Sequence, residues 1–222
     1  MARIGRYEKL RWECKACLVR TYPRKSSPAL QTSLLIAPLM RLAALVCHPS
    51  TPCGAIRNFA VEVLQRERQL SLHYRIAGDI NALSIPQIGP PHRSDGLWQN
   101  TCLEAFIKGP GEVYYEFNFA PSAAWMAYRF TSYRQGMVAV ENMEPANITV
   151  YRDSHRFELE AVVNNPNRPS MLERCTGLRL GLSAVIKDTQ GNLSYWAFAH
   201  PKDKPDFHHP DSFAFEIGHD GE

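Results

Sequence analysis

The 222-residue chain has no G-x-S-x-G, no glycine-rich phosphate loop, no H-E-x-x-H and no glycine-flanked serine or cysteine with an evident base partner. Those gaps remove the common motif-bearing hydrolases, nucleotide-binding enzymes and zinc proteases. Without C-x-x-C-H there is no c-type haem attachment. Nor is there an apolar run of the roughly 20 residues that span a bilayer. The one candidate, LLIAPLMRLAALVC at 34–47, is interrupted by Pro38 and Arg41. Cysteines at 14, 17, 47, 53, 102 and 175 are not spaced as a secreted disulfide framework. Cys14 and Cys17 have zinc-like spacing but no second pair nearby, so no metal is expected there.

Excess basic charge is confined to one end. Residues 1–52 hold nine Lys or Arg against two acids, leaving 16 basic and 20 acidic groups in the rest, a balance of −4. A mildly acidic domain without a basic stripe is a poor nucleic-acid binder, because phosphate neutralisation supplies most of that affinity. Residues 1–39 are basic, rich in Ser and Pro and without period, and read as a disordered basic extension or a mis-assigned start. Residues 40–222 read as one domain. The expected compartment is the cytoplasm, or an exported one if translation begins at Met40.

What is present is a period of two. QLSLHYRI alternates Leu70, Leu72, Tyr74 and Ile76 with polar residues, and EVYYEFNF opposes Val113, Tyr115, Phe117 and Phe119 to Tyr114, Glu116 and Asn118. NITVY, RFELEAVV, LRLGLSAVI and LSYWAFA continue the pattern between turn-rich separators such as GPGE and DTQGN. Eight or nine short strands without an amphipathic helix predict an all-β chain, a β-sandwich of jelly-roll or immunoglobulin-like type, beginning near 42–47 and ending at 213–217.

In TCLEAFI the alternation puts Glu104 on a face with Cys102 and Phe106. A carboxylate on a partly apolar face costs free energy unless it meets donors. Flat rings with carboxylate, amide and guanidinium groups nearby are what a sugar-reading surface requires, because rings cover the C–H face of a pyranose and polar groups take its hydroxyls. Trp98, Trp125 and Trp196 are the ring candidates. Glu104, Glu116, Asn118 and Arg134 are the polar ones, with Tyr128 beside them. The bland alternative has the aromatics fill the core and Glu104 pair with Arg93 or Arg134. A glycosidase would instead use Glu104 and Glu116 as its carboxylate pair. The tail HPKDKPDFHHPD reads as a solvated loop whose aspartates cap turns, and not as a metal site.

The blocks LVCHPSTP, RSDGLWQNTCLEAFI, YYEFNFAPSAAWMAYRFTSYRQGM and SYWAFAHPKDKPDFHHPDSF together resemble the DOMON-like proteins related to family 9 carbohydrate-binding modules, over about 42–217. The resemblance implies a β-sandwich whose concave sheet holds a sugar or a haem, without catalytic machinery. It assigns hydroxyl reading to Glu104, Glu116 and Asn118, and ring platforms to Trp98 and Trp125. Haem is the alternative ligand, with Met126, Met137, Met143 and His200 as axial donors. The expectation is a non-catalytic module that binds a small carbohydrate, without resident cofactor, nucleic-acid partner or membrane span.

Overall fold

The computed structural model describes residues 39–66, 69–141, 143, 146–164 and 178–217. The expected extension and the Cys14, Cys17 and Cys175 thiols lie outside them, and Leu39 already opens the first strand.

The strands are β1 (Leu39–Ala44), β2 (Val46–Cys47), β3 (Ile56–Arg66), β4 (Gln69–Gly78), β5 (His92–Arg93), β6 (Cys102–Lys108), β7 (Tyr114–Phe119), β8 (Ala124–Phe130), β9 (Val138–Ala139), β10 (Asn147–Arg152), β11 (Arg156–Asn164), β12 (Leu178–Lys187), β13 (Leu193–Ala197) and β14 (Phe215–Ile217). They form two sheets, one of five strands in the order β1-β3-β4-β11-β10 and one of nine along β2-β13-β12-β6-β7-β8-β5, with β14 on β12 and β9 on β8. All pairs are antiparallel except β5 with β8. The expected all-β sandwich is therefore observed. The additional strands are mostly two-residue edge pieces, too short to show an alternation.

Alternation decides which residues meet between the sheets. From the five-stranded sheet Phe59, Val61, Leu72, Tyr74, Ile76, Phe157 and Leu159 turn inward, and from the other Leu103, Ala105, Phe117, Phe119, Leu180, Leu182 and Ile186. Each such large side chain contributes roughly 1.5–3 kcal/mol by leaving water. Tyr74 also crosses between sheets, its hydroxyl donating to the Glu104 carbonyl at 2.8 Å. The outer face of the five-stranded sheet is polar, with Glu62 bridging His73 and Arg75, and Glu158 on the other side of His73.

The nine-stranded sheet differs because its outer face is also covered. Phe106, Tyr114, Tyr128, Phe130, Val185, Ala197, Phe207 and Phe213 form a second buried cluster. Consequently β6 and β12 are buried almost continuously.

Candidate ligand-binding face

Strand parity and register together lay out this outer face. Across β12, β6, β7 and β8, one row runs Ser183, Glu104, Asn118, Met126 and the next runs Gly181, Phe106, Glu116, Tyr128. A third row adds Tyr114 and Phe130, whose rings stack at 4.7 Å. Polar groups thus dominate the first row, Glu116 stands between two rings on the second, and Tyr114 and Phe130 pair on the third. Gly181 allows close approach there, since a Cβ would stand 3.3 Å from both the Phe106 Cβ and the Ser212 carbonyl.

Three loops wall the floor. The turn at Leu97–Gln99 carries Trp98, which is 36% exposed and meets Tyr128 edge-on at 5.9 Å. Tyr128 in turn hydrogen-bonds Asp95. From the turn after β8, Arg134 pairs with Asp206 at 2.8 Å. Its backbone holds φ 54°, a left-handed conformation uncommon outside glycine, and its N–H donates to the Tyr114 hydroxyl at 3.1 Å. The third wall is the 206–213 loop, where Asp206 accepts from the His208 N–H and from Tyr133.

A run of polar contacts crosses the floor. The Tyr114 oxygen accepts from the Arg134 N–H and also hydrogen-bonds His208 Nδ1, 2.8 Å away. His208 Nε2 faces Glu116 Oε2 at 3.8 Å. Asn118 Nδ2 donates to Glu116 Oε1 at 2.7 Å, and the Cys102 thiol donates to Asn118 Oδ1 at 3.4 Å. Among the described residues, Glu104 Oε1 and, across the strand pair, Ser183 Oγ are buried without a hydrogen bond of good geometry, as are Trp125 Nε1 and His200 Nδ1 away from this face. Glu104 and Ser183 are only 3% and 2% exposed.

Burial dominates the electrostatics. It raises the Glu116 carboxyl to about 7, against the Asn118 hydrogen bond and the Arg134 charge. Burial and then the neighbouring Glu116 charge hold Glu104 well above the usual carboxylate range, with Cys102 and Ser183 opposing only in part. Burial likewise pushes the Cys102 thiol up, leaving it unreactive. His208 is depressed to about 4, first by burial and then by the Arg134 charge. Asp206 is the exception: burial would raise it, but the Tyr133 and Arg134 hydrogen bonds outweigh that and keep it low. At neutral pH the floor thus holds a protonated Glu104, a Glu116 near its titration midpoint and a neutral His208.

Several expected site residues sit elsewhere. Trp125 has the inward parity of β8 and belongs to the inter-sheet core, as does Trp196 on β13, so neither ring shares the face of Glu104. The Trp196 N–H is satisfied by Ser194 Oγ at 3.0 Å. Arg93 lies 4.9 Å over the Trp125 ring and gives its donors to the Val140 and Glu141 carbonyls, so it does not pair with Glu104. His200 Nε2 bonds the Val46 carbonyl at 2.8 Å, beside His48. The named haem donors do not share one face: Met126 packs on the outer cluster, Met143 on the inner core, and Met137 is exposed. They do not fit an axial pair.

Trp98, Glu104, Glu116, Asn118, Tyr128 and Arg134 do come together. Sequence reading missed Ser183, Tyr114, Asp206 and His208. The serine breaks an otherwise apolar LRLGLSAVI run, a signal that could have been used. The tail carried none, and the loop expected to be solvated instead buries Asp206 and packs the His208 ring 5.0 Å from Phe106. Among the described residues, no group of three or more His, Cys, Asp or Glu is placed to hold a metal ion. No described helix is long and apolar enough to cross a membrane.

The sandwich has solved counterparts. A candidate carbohydrate-binding protein from Bacteroides uniformis ATCC 8492 aligns with TM-score 0.52 and 14% identity, over 81% of this chain and 84% of that one. A family 9 carbohydrate-binding module from Caldicellulosiruptor kristjanssonii, in complex with glucose, aligns with TM-score 0.39 and 11% identity, over 71% and 74%. At 14% identity the first likeness establishes a shared fold. No protein-family model matches the chain, and no curated protein matches its sequence.

Proposed function

We propose that this chain is a non-catalytic, DOMON-like ligand-binding module that takes a small carbohydrate on the outer face of its nine-stranded sheet. The observation that carries the reading is the pair of buried oxygens without a hydrogen bond of good geometry, Glu104 Oε1 and Ser183 Oγ, beside Asn118 and Glu116. An unsatisfied buried polar atom costs roughly 1–3 kcal/mol, and a ligand donor recovers that cost. Ring edges at Trp98 and Tyr128 supply an apolar wall of the kind that covers a sugar's C–H face. The fold shared with a candidate carbohydrate-binding protein supports the same choice.

Calorimetric titration against mono- and disaccharides tests the proposal. A sugar that binds wild type should bind Trp98→Ala and Glu104→Gln at least about tenfold more weakly, the equivalent of one lost hydrogen bond or ring contact. Unchanged affinity in both variants would place binding elsewhere. A Soret band in the purified protein would replace the sugar with haem, and turnover of an aryl glycoside lost in Glu104→Gln would make the face an active site.

A further inference from the structure

Three oxygens of the floor can still accept. Glu104 Oε1 and Ser183 Oγ are buried without a hydrogen bond of good geometry, and Glu116 Oε2 has His208 Nε2 at 3.8 Å, too far for a hydrogen bond. The Asn118 amide has already spent a donor on Glu116. Cations near the face are hydrogen-bonded or stacked elsewhere, Arg134 with Asp206 and Lys108 over the Phe213 ring at 5.7 Å, and Arg134 reaches Glu116 only through its field. The remaining titratable groups that line the face are Asp95 on the Trp98 loop, Tyr114 and Cys102 on the strands, Tyr128, and Asp206 and His208 on the tail loop. None of these is a cation at neutral pH, and two are further acids. Two buried carboxyls therefore face one another diagonally across β6 and β7, and no described cation is hydrogen-bonded to either.

We propose that the ligand bound on this face carries a protonated amine, as an amino sugar does, and that its ammonium group seats between Glu104 and Glu116. This rests on the carbohydrate reading of the same face. A neutral hydroxyl offers one donor, whereas an ammonium offers three and brings the missing charge. The Trp98 and Tyr128 rings add a wall that favours a cation over a neutral group. Seating the cation makes ionised carboxylates favourable where burial alone keeps them protonated. Binding should therefore expel protons to the buffer.

The test titrates glucosamine, glucose and N-acetylglucosamine into the full chain at pH 6, in two buffers of different ionisation enthalpy, together with putrescine as an amine that is not a sugar. The expected result is glucosamine binding about tenfold or more tightly than glucose, with net proton release, and a preference that collapses in Glu104→Gln while glucose affinity changes less. Glucose or N-acetylglucosamine binding as tightly as glucosamine, without proton release, overturns the amine seat and leaves the carbohydrate reading standing. Putrescine binding with proton release, with all three sugars failing, upholds the seat and removes the carbohydrate. Failure of all four ligands overturns both.

Discussion

Glu116 and His208 face each other across 3.8 Å, and their opposite displacements make the pH dependence of stability a decisive test of their burial. The Glu116 carboxyl stands at about 7, where an unburied one has 4.5. The folded state therefore holds that proton more tightly. Its contribution is complete below pH 4.5 and is lost as pH rises to about 7, at a cost of roughly 3 kcal/mol. The His208 imidazole stands at about 4 against an ordinary 6.5. Between those values the unfolded chain binds the extra proton, so stability rises with pH by a similar roughly 3 kcal/mol. From pH 4.5 to 6.5 the two slopes nearly cancel. Each single variant uncovers the other's slope. Relative to wild type, Glu116→Gln should gain about 3 kcal/mol in stability between pH 4.5 and 7, whereas His208→Gln should lose about that much between pH 4 and 6.5. Urea denaturation at half-unit pH steps measures both differences, and subtraction from wild type removes the titration common to all three proteins. Curves that stay parallel across the window would refute the burial of this pair.

The remaining predictions concern packing and the walls. Phe117→Ala, which empties a ring site in the inter-sheet core, should cost about 3–5 kcal/mol in chemical denaturation. Gly78→Ala places a Cβ 2.0 Å from the Ala55 carbonyl oxygen, and because that neighbour is backbone the loss should exceed about 3 kcal/mol by the same measurement. Asp206→Ala strips the partner from Arg134 and from the Tyr133 hydroxyl. It should destabilise by about 1–2 kcal/mol, since Arg134 is half exposed, and weaken sugar binding by loosening the tail loop, both readable in one thermal-shift titration. Trp98→Ala, at a partly exposed position, should leave the melting temperature within about 2 °C while binding falls, which separates recognition from folding.

Much of the fold was legible because half-buried strands advertise themselves. QLSLHYRI and RFELEAVV carry one apolar and one polar parity and became β4 and β11, paired over their whole lengths. The floor was legible for a related reason: a carboxylate between Cys102 and Phe106 violates the pattern of its strand, and Glu104 sits where that violation pointed. The tryptophans misled because a large ring is equally at home in a core and on a platform. Only the parity of β8, fixed by pairing Trp125 with Phe119, separates the two. His208 and Asp206 were hidden for a deeper reason. Their burial comes from a loop folding back over strands some 90 residues earlier in the chain, with Tyr114 as the partner of His208, and no local period encodes such a contact.

The central strand β12 takes β6 on one side and both β13 and β14 on the other. Antiparallel pairing of segments near residues 102–108 and 178–187 requires a long loop to close before any of that ladder is rewarded. On a ribosome, the five-stranded sheet is complete once β11 has emerged at Asn164, while β6, β7 and β8 wait with one flank open. The floor acquires Ser183 only when β12 arrives, and its last wall only after residue 213. During synthesis the binding face is thus the final part of the domain to mature, and the exposed edge of β6 is the interval's hazard for pairing with a neighbouring nascent chain.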